Sequence, residues 1–416
     1  MKKFVSWVNV FGTLSLFGFL WVLGEIGIQF DFLNVFEQVI SDYNLTDIYY
    51  TKVRDNSTVK YDENIVLVNI GGADRGRRSI AAQIAILNKY EPKVIGIDAK
   101  FFTLKDEDPI GDFMLAQSIK DAKNFVMGSE FRVLSDTSST WDTLIVPPVQ
   151  FAQYAHTAHV NTGNIEFDDF VTWRDIPVKE KTRAGVEEVC FAAKIAELYD
   201  KEVAEEFMAR GNDIENIYFK GNLDKYQKLD VEDVLDENFT SETIKGKIIL
   251  MGYLGDGYTD YHFDEDKFYT PLNEKMVGRG VPDMFGVVVH ANIVSMILDR
   301  TYINEMPIWM GVLIAIIVCH LNVVFFTKIL FNKRIAPYYG LTKIVQLVEV
   351  LFIVSITILL FGMYNYKLDL TLTFLVIILV GDVTEIYVDI FVHNIQRLKL
   401  SNKLKIKLFK PKLNRI

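Results

Sequence analysis

The chain has 416 residues, half of them apolar, with a formal net charge of −10 and only two cysteines. That length suffices for one or two domains, and the apolar share exceeds what one core requires. The acidic balance excludes electrostatic binding to nucleic acid, and the cysteine count excludes a disulfide-built fold.

The apolar excess lies at the two ends. Phe4 to Gly24 has no charge and the roughly 20 residues needed to cross a hydrocarbon core of about 30 Å. No small-residue cleavage site follows it, so it reads as a retained anchor and not a signal peptide. Between Phe30 and Tyr50 the apolar positions Phe32, Val35, Phe36, Val39 and Ile40 recur at helical spacing, which predicts an amphipathic helix. Strands and helices then alternate: strand Asn64–Ile70, helix Ser79–Lys89, strand Lys93–Phe102, helix Phe113–Ala122 and strand Asn124–Phe131. That order predicts parallel pairing with right-handed crossovers. His159–Val178 reads as a hairpin, Val186–Leu198 as a helix, and Asp200–Thr243 as charged loops and short helices. Lys245–Asp256 is a buried strand ending at glycines, and Gly286–Arg300 is a helix. Three more apolar stretches of membrane length follow: Pro307–Phe326, Val345–Tyr364 and Leu370 to about Val392.

Short cytoplasmic loops collect lysine and arginine. Lys2 and Lys3 precede the first span; Lys328, Lys333, Arg334 and Lys343 lie between the second and third; eight basic residues fill the tail after the fourth. Four spans with both termini in the cytoplasm satisfy these biases and leave the large middle segment outside. That segment holds 29 of the 44 basic and 49 of the 54 acidic residues, a formal charge near −20, which favours cations or basic partners. It has one cysteine, Cys190, and an exterior domain without an internal disulfide points to a bacterial periplasm.

The turn Gly71-Gly72-Ala73-Asp74-Arg75-Gly76 follows a strand and precedes a helix, as a phosphate cradle would. It matches neither the dinucleotide nor the P-loop pattern. Arg75, Arg77 and Arg78 remain candidates to hold another anion, against a reading as arginines facing solvent or local carboxylates.

"NIVLVNI", "LNKYEPKVIGIDAKFF", "AHVNTGNIEFDDFVTWRDIPV", "IKGKIILMGYLGDGYTD" and "TPL…GVVVHANIVSMILDRTYI" carry a resemblance. The sequence resembles the CHASE domain of the second type, a family of extracytoplasmic sensory domains associated with cyclases and histidine kinases. One span before the domain and three after it agree with the family layout. The resemblance implies a periplasmic sensor that signals across the membrane. Two features depart from the family: Asn69-Ile70-Gly71-Gly72 stands where an acidic strand end is usual, and the chain stops about two dozen residues after its last span, where an effector domain is common.

Asp98 ends a strand at the edge where open α/β sheets place ligand-contacting groups. Asp256 and Asp260 follow a second strand, and His290 opens the last exterior helix. A ligand or cation pocket built from these four competes with carboxylates that cap turns and a histidine satisfied in the core. No zinc spacing or nucleophile triad emerges, so no metal, cofactor or catalytic residue is expected and the chain reads as a non-enzyme. In the last span Asp382, Glu385, Asp389 and His393 share one helix face, with His320 and Glu349 as intramembrane neighbours. They form a polar seam for helix packing or subunit docking, or a proton path. Lys399, Lys403, Lys405 and Lys407 alternate with apolar residues and suit anionic lipid or a partner's sheet.

The expected fold class is an α/β periplasmic sensor domain, its sheet mixed or mostly parallel and flanked by helices, plus four transmembrane helices. The expected segments are 1–29 (anchor), 30–305 (CHASE-like domain), 306–392 (three spans) and 393–416 (basic tail). The expected function is an inner-membrane sensor or adaptor that passes a signal to a separate effector. The alternatives are a non-sensing structural subunit of an envelope complex and, more weakly, a proton- or ion-coupled membrane protein. Expected partners are membrane lipids, other membrane or envelope proteins, a cytoplasmic effector or a second copy of the chain, with no nucleic acid.

Overall fold

The structure is a computed structural model that describes residues 7–27, 44–72, 76–134, 140–161, 171–255, 266–275, 281–331 and 340–392. It divides into two compact units, Asp42–Asn304 and a second made of Met1–Ser41 with Glu305–Ile416. Most of the expected helix at Phe30–Tyr50 lies outside the described residues. Helix α1 (Trp7–Gly27) opens the chain.

The Asp42–Asn304 unit is built on a sheet of seven strands. In chain order they begin with β1 (Asp62–Asn69), helix α2 (Gly76–Asn88), β2 (Val94–Ile97), helix α3 (Pro109–Lys120) and β3 (Phe125–Arg132). Short β4 (Thr143–Ile145) and β5 (His156–His159) follow. Beyond them, β6 (Asp175–Pro177), β7 (Lys179–Lys181) and β8 (Glu187–Val189) lie outside the sheet and lead into helices α4 (Phe191–Tyr199) and α5 (Lys201–Ala209). Then come β9 (Ile214–Asn216), β10 (Tyr226–Leu229), β11 (Ile248–Gly252), β12 (Lys267–Phe268), β13 (Met284–Phe285) and helix α6 (Gly286–Asp299).

The sheet order is β10-β1-β11-β2-β3-β4, with β5 also paired to β3. All pairings are parallel except β3 with β4. The last-formed long strand, β11, therefore inserts between β1 and β2. Its residues Ile248 to Met251 are fully buried, as expected for a central parallel strand covered on both faces. Helix α2 turns Ile80, Ala81, Ile84 and Leu87 inward, a 3.6-residue stripe onto the same core as Val66, Ile95 and Ile249. Helix α3 starts at Pro109 after the N-cap Asp108, which accepts from the Gly111 N–H. Helix α6 has no polar face to spare: every residue from Gly286 to Ile297 is buried. It approaches β11 so closely that a Cβ on Gly252 would lie 2.5 Å from Val287.

Three expectations need correction. Within His159–Val178 the described ends do not pair as a hairpin: β5 lies parallel on β3, whereas β6 pairs antiparallel with β9. The expected helix at Val186 starts later, because Glu187–Val189 forms a ribbon with β7 and the Glu188 carboxylate accepts hydrogen bonds from the Ser129 and Thr157 hydroxyls. Within Asp200–Thr243, β10 joins the main sheet beside β1, its two central residues half-exposed and polar at the sheet's edge.

In the second unit, α7 (Ile308–Leu330) and α8 (Leu341–Tyr364) are followed by α9 (Thr371–Tyr387), which runs on as a π-turn over Val388–Val392. Among the described residues three helices are long and apolar enough to cross a membrane, and the apolar stretch of α1, Asn9–Val22, is shorter. Leu16 of α1 packs with Ala315, Cys319 and Val323 of α7 and Val376 and Val380 of α9. We predict that Gly252→Ala lowers the stability of the α/β unit by about 1–3 kcal/mol, the usual cost of overpacking, measured by chemical denaturation. An unchanged midpoint would refute the close helix–sheet contact.

Candidate functional site

The register β1–β11–β2 aligns Asn69 with Gly252 and Met251 with Ile97 at one edge of the sheet. Asp98 is the next residue after β2, and its N–H donates to the Met251 carbonyl at 2.8 Å, which pins it to that edge. Its side chain is 17% exposed, and its Oδ2 lies 3.8 Å from His290 Nε2. His290 sits one turn into α6, so the helix that covers the sheet also delivers the imidazole. Beside Asp98 stands Gly286, the first residue of α6. A Cβ there would lie 3.4 Å from Asp98 Oδ2 and 3.5 Å from Asp266 Oδ1. Two carboxylates thus flank the start of a 14-residue helix, where the helix dipole favours negative charge.

Burial pushes the Asp98 carboxyl up to about 6, partly offset by Lys100. Asp266 is pushed the same way, by burial first and then by the charge of Asp98. His290 is held down to about 4 by burial and is neutral, and its Nδ1 is enclosed without a partner among the described residues. Its ring meets Phe191 and Trp173 edge-on at 5.1 and 5.9 Å, and Trp173 meets Phe268 at 4.8 Å. The result is a recessed carboxyl, Asp98, with Asp266 exposed at its rim, and a neutral imidazole against an aromatic wall. Such a site can accept a proton or hydrogen-bond donors, and its buried carboxyl gains by meeting a cationic group. His159, fully buried, has no partner on either ring nitrogen among the described residues, and burial lowers it to about 3.

Of the four residues proposed for a pocket, Asp98 and His290 come together, whereas Asp256 and Asp260 lie outside the described residues, as does Arg75. Asp266, Trp173 and Gly286 are additions that sequence reasoning missed. Arg77 and Arg78 are engaged elsewhere. Arg77 is buried in an ion pair with Asp112, donates to the Thr103 carbonyl and lies 5.6 Å over the Phe101 and Phe151 rings. Arg78 pairs with Asp108 at 2.6 Å. Both arginines therefore serve the junction of α2 and α3, not an anion. Among the described residues no group of three or more His, Cys, Asp or Glu is arranged to hold a metal ion.

In the second unit, polar contacts join the helices in pairs. Thr13 of α1 and His320 of α7 are 3.1 Å apart, and Asn322 of α7 hydrogen-bonds Glu349 of α8. Gln346 of α8 donates to the Ile378 carbonyl of α9 at 3.1 Å, and Lys343 pairs with Asp382 at 2.6 Å. The acidic face of α9 is not its packed face: Asp382 and Asp389 are exposed and Glu385 half-exposed, while Gly381, Thr384 and Tyr387 are buried. His393 and the tail lysines Lys399, Lys403, Lys405 and Lys407 lie outside the described residues.

An α/β domain with a recessed acid–imidazole cluster, carried in one chain with helices of membrane length, defines a membrane protein with a recognition domain. The family model for the CHASE2 domain matches residues 17–325. The chain belongs to this family of extracytoplasmic sensory domains. No curated protein and no solved structure matched.

The folded-state value of Asp98 lies above the unfolded one. Its contribution to stability is fully present below pH 4 and is lost as pH rises through about 6. We predict that Asp98→Asn raises the thermal midpoint by several degrees at pH 7.5 and leaves it unchanged at pH 4, read by calorimetry across pH. A loss of stability at both pH values would contradict the buried-carboxyl assignment.

Proposed function

We propose that the protein is a sensor or adaptor of the bacterial inner membrane. Its α/β domain stands in the periplasm and binds a ligand or an envelope protein, and its state passes to a separate cytoplasmic effector. In this reading α1 spans the membrane together with α7, α8 and α9, both termini are cytoplasmic, and the chain is not an enzyme. One observation carries it. Helix α6 starts at the Asp98–Asp266–His290 cluster and runs 14 residues to Asp299, roughly 21 Å of rigid rod. Only residues 300–307 separate its end from the start of α7 at Ile308. A ligand that prefers one position of Gly286 and His290 therefore acts on the element next in sequence to a span. It signals only as far as it binds the two positions unequally.

The structural-subunit reading is favoured by one feature, an apolar surface on and near α3 where Ile110, Phe113 and Val149 are 58%, 71% and 69% exposed. Such a patch is typical of a protein-binding face. The pairing of Asp382 with Lys343 supports packing over a proton path through α9.

Alkaline phosphatase, which is active only outside the cytoplasm, inserted at the exposed turn Gly211–Asp213 should be active in cells. The same enzyme fused after Ile416 should be inactive. The reverse pattern would sink this reading entirely.

A further inference from the structure

A second cavity lies away from the acid–imidazole cluster, at the opposite end of α6. It has a volume of about 310 Å³ and is lined by Tyr49, Arg54, Lys60, Tyr218, Met296 and Asp299. That volume is at the lower end of the range for small-molecule sites. The charges around it are unevenly matched. Lys220 is fully occupied, its ammonium held by Asp62 at 2.7 Å and Asp299 at 2.9 Å. Arg54 donates to the Phe219 carbonyl and to Asn56 Oδ1 and lies 4.6 Å over the Tyr50 ring. None of its partners among the described residues is a carboxylate, and its Nη2 is enclosed with no acceptor among them. Lys60 is exposed and forms no ion pair among the described residues. In a domain with far more acids than bases, two cations on one cavity with no carboxylate partner among the described residues are out of keeping with mere solubilising charge. Asp299 also lines the cavity; it is 42% exposed and shares the Lys220 ammonium with Asp62. It is also the last residue of α6, where the helix dipole adds negative potential.

We propose that this cavity binds a small zwitterion of the amino-acid class, with its carboxylate at Arg54 and Lys60, its ammonium at Asp299 and its side chain against Tyr49, Tyr218 and Met296. The site is independent of the acid–imidazole cluster. It joins two segments that matter for signalling: residues 49–60 follow the first apolar helix in sequence, and residues 295–301 lead into α7. A ligand bridging them ties both ends of the α/β unit together.

The test uses the full chain in lipid nanodiscs and titration calorimetry with the proteinogenic amino acids. For any binder, the matching amine without the carboxylate and the matching acid without the ammonium are added. The expected result is at least one amino acid with Kd below about 1 mM, weakened about tenfold or more in Lys60→Ala, in Asp299→Asn and in both analogues. Lys60 is exposed, so Lys60→Ala should melt like the parent without ligand, and this separates lost binding from lost folding. The proposal is overturned if no amino acid binds, if a binder is indifferent to Lys60→Ala, or if the deaminated acid binds as tightly as the zwitterion. The last result would mark a simple anion site.

Discussion

The burial of α6 is the constraint on which the rest of the α/β unit depends. A helix enclosed on all sides from Gly286 to Ile297 must be largely apolar, its polar groups satisfied inside, and Val287, Val288, Val289, Ile293, Val294 and Ile297 are accordingly inaccessible to solvent. At roughly 1.5–3 kcal/mol per fully buried aliphatic side chain, this helix is a major part of the gross stabilisation. The same burial fixes its rotation. Gly252 admits Val287, Asn292 is held by the backbone of Gly221, and Ser295 donates to Asp62. With rotation and height set, His290 can point only toward Asp98, and Asp299 only toward Lys220. Both candidate sites are consequences of one packed helix.

The cost of that arrangement is concentrated at its two ends. At the amino end a carboxyl that would rather be neutral sits beside an imidazole that is neutral already. At the carboxyl end one lysine serves two carboxylates. Groups held in states they disfavour are retained where recognition needs them. Asn69 shows the contrast. Its side chain is fully satisfied, donating to Asp230 and to the Gly255 carbonyl and accepting from the Leu254 and Gly71 N–H groups. Its side chain is a clasp for the sheet edge and not a free ligand group.

How much of this was legible depends on the range of the interaction. Strands β1, β2 and β11 announce themselves as continuous apolar runs, and Asp98 follows from the rule that places ligand groups at strand ends. Strand order does not follow: periodicity says that β11 is buried, not that it inserts between β1 and β2. Strand β10 is hidden because Gln227 and Lys228 interrupt its apolar ends. Arg77 beside a glycine turn suggests an anion site at short range, but its partner Asp112 lies 35 residues on. Asp266 reaches Asp98 through a left-handed turn at φ 57°, which no local pattern encodes.

The membrane-length helices show the same limit in another solvent. Helical spacing groups Asp382 and Glu385 on α9, with Asp389 in the π-turn beyond it, but a face can be polar without being the packed one. The packed face uses small and apolar residues, with Gly381 lying 3.0 Å from the Gln346 amide at the position of a would-be Cβ. At 1.5 Å per residue, Asp389 lies roughly 27 Å from the start of α9, close to the limit of a hydrocarbon core of about 30 Å, where a carboxylate reaches headgroups at little cost. Asp382 lies roughly 17 Å from that start and pairs with Lys343 of the neighbouring helix, both side chains about half exposed. A charge within a membrane-length helix is tolerated when it is paired, and the Lys343–Asp382 pair meets that requirement between α8 and α9.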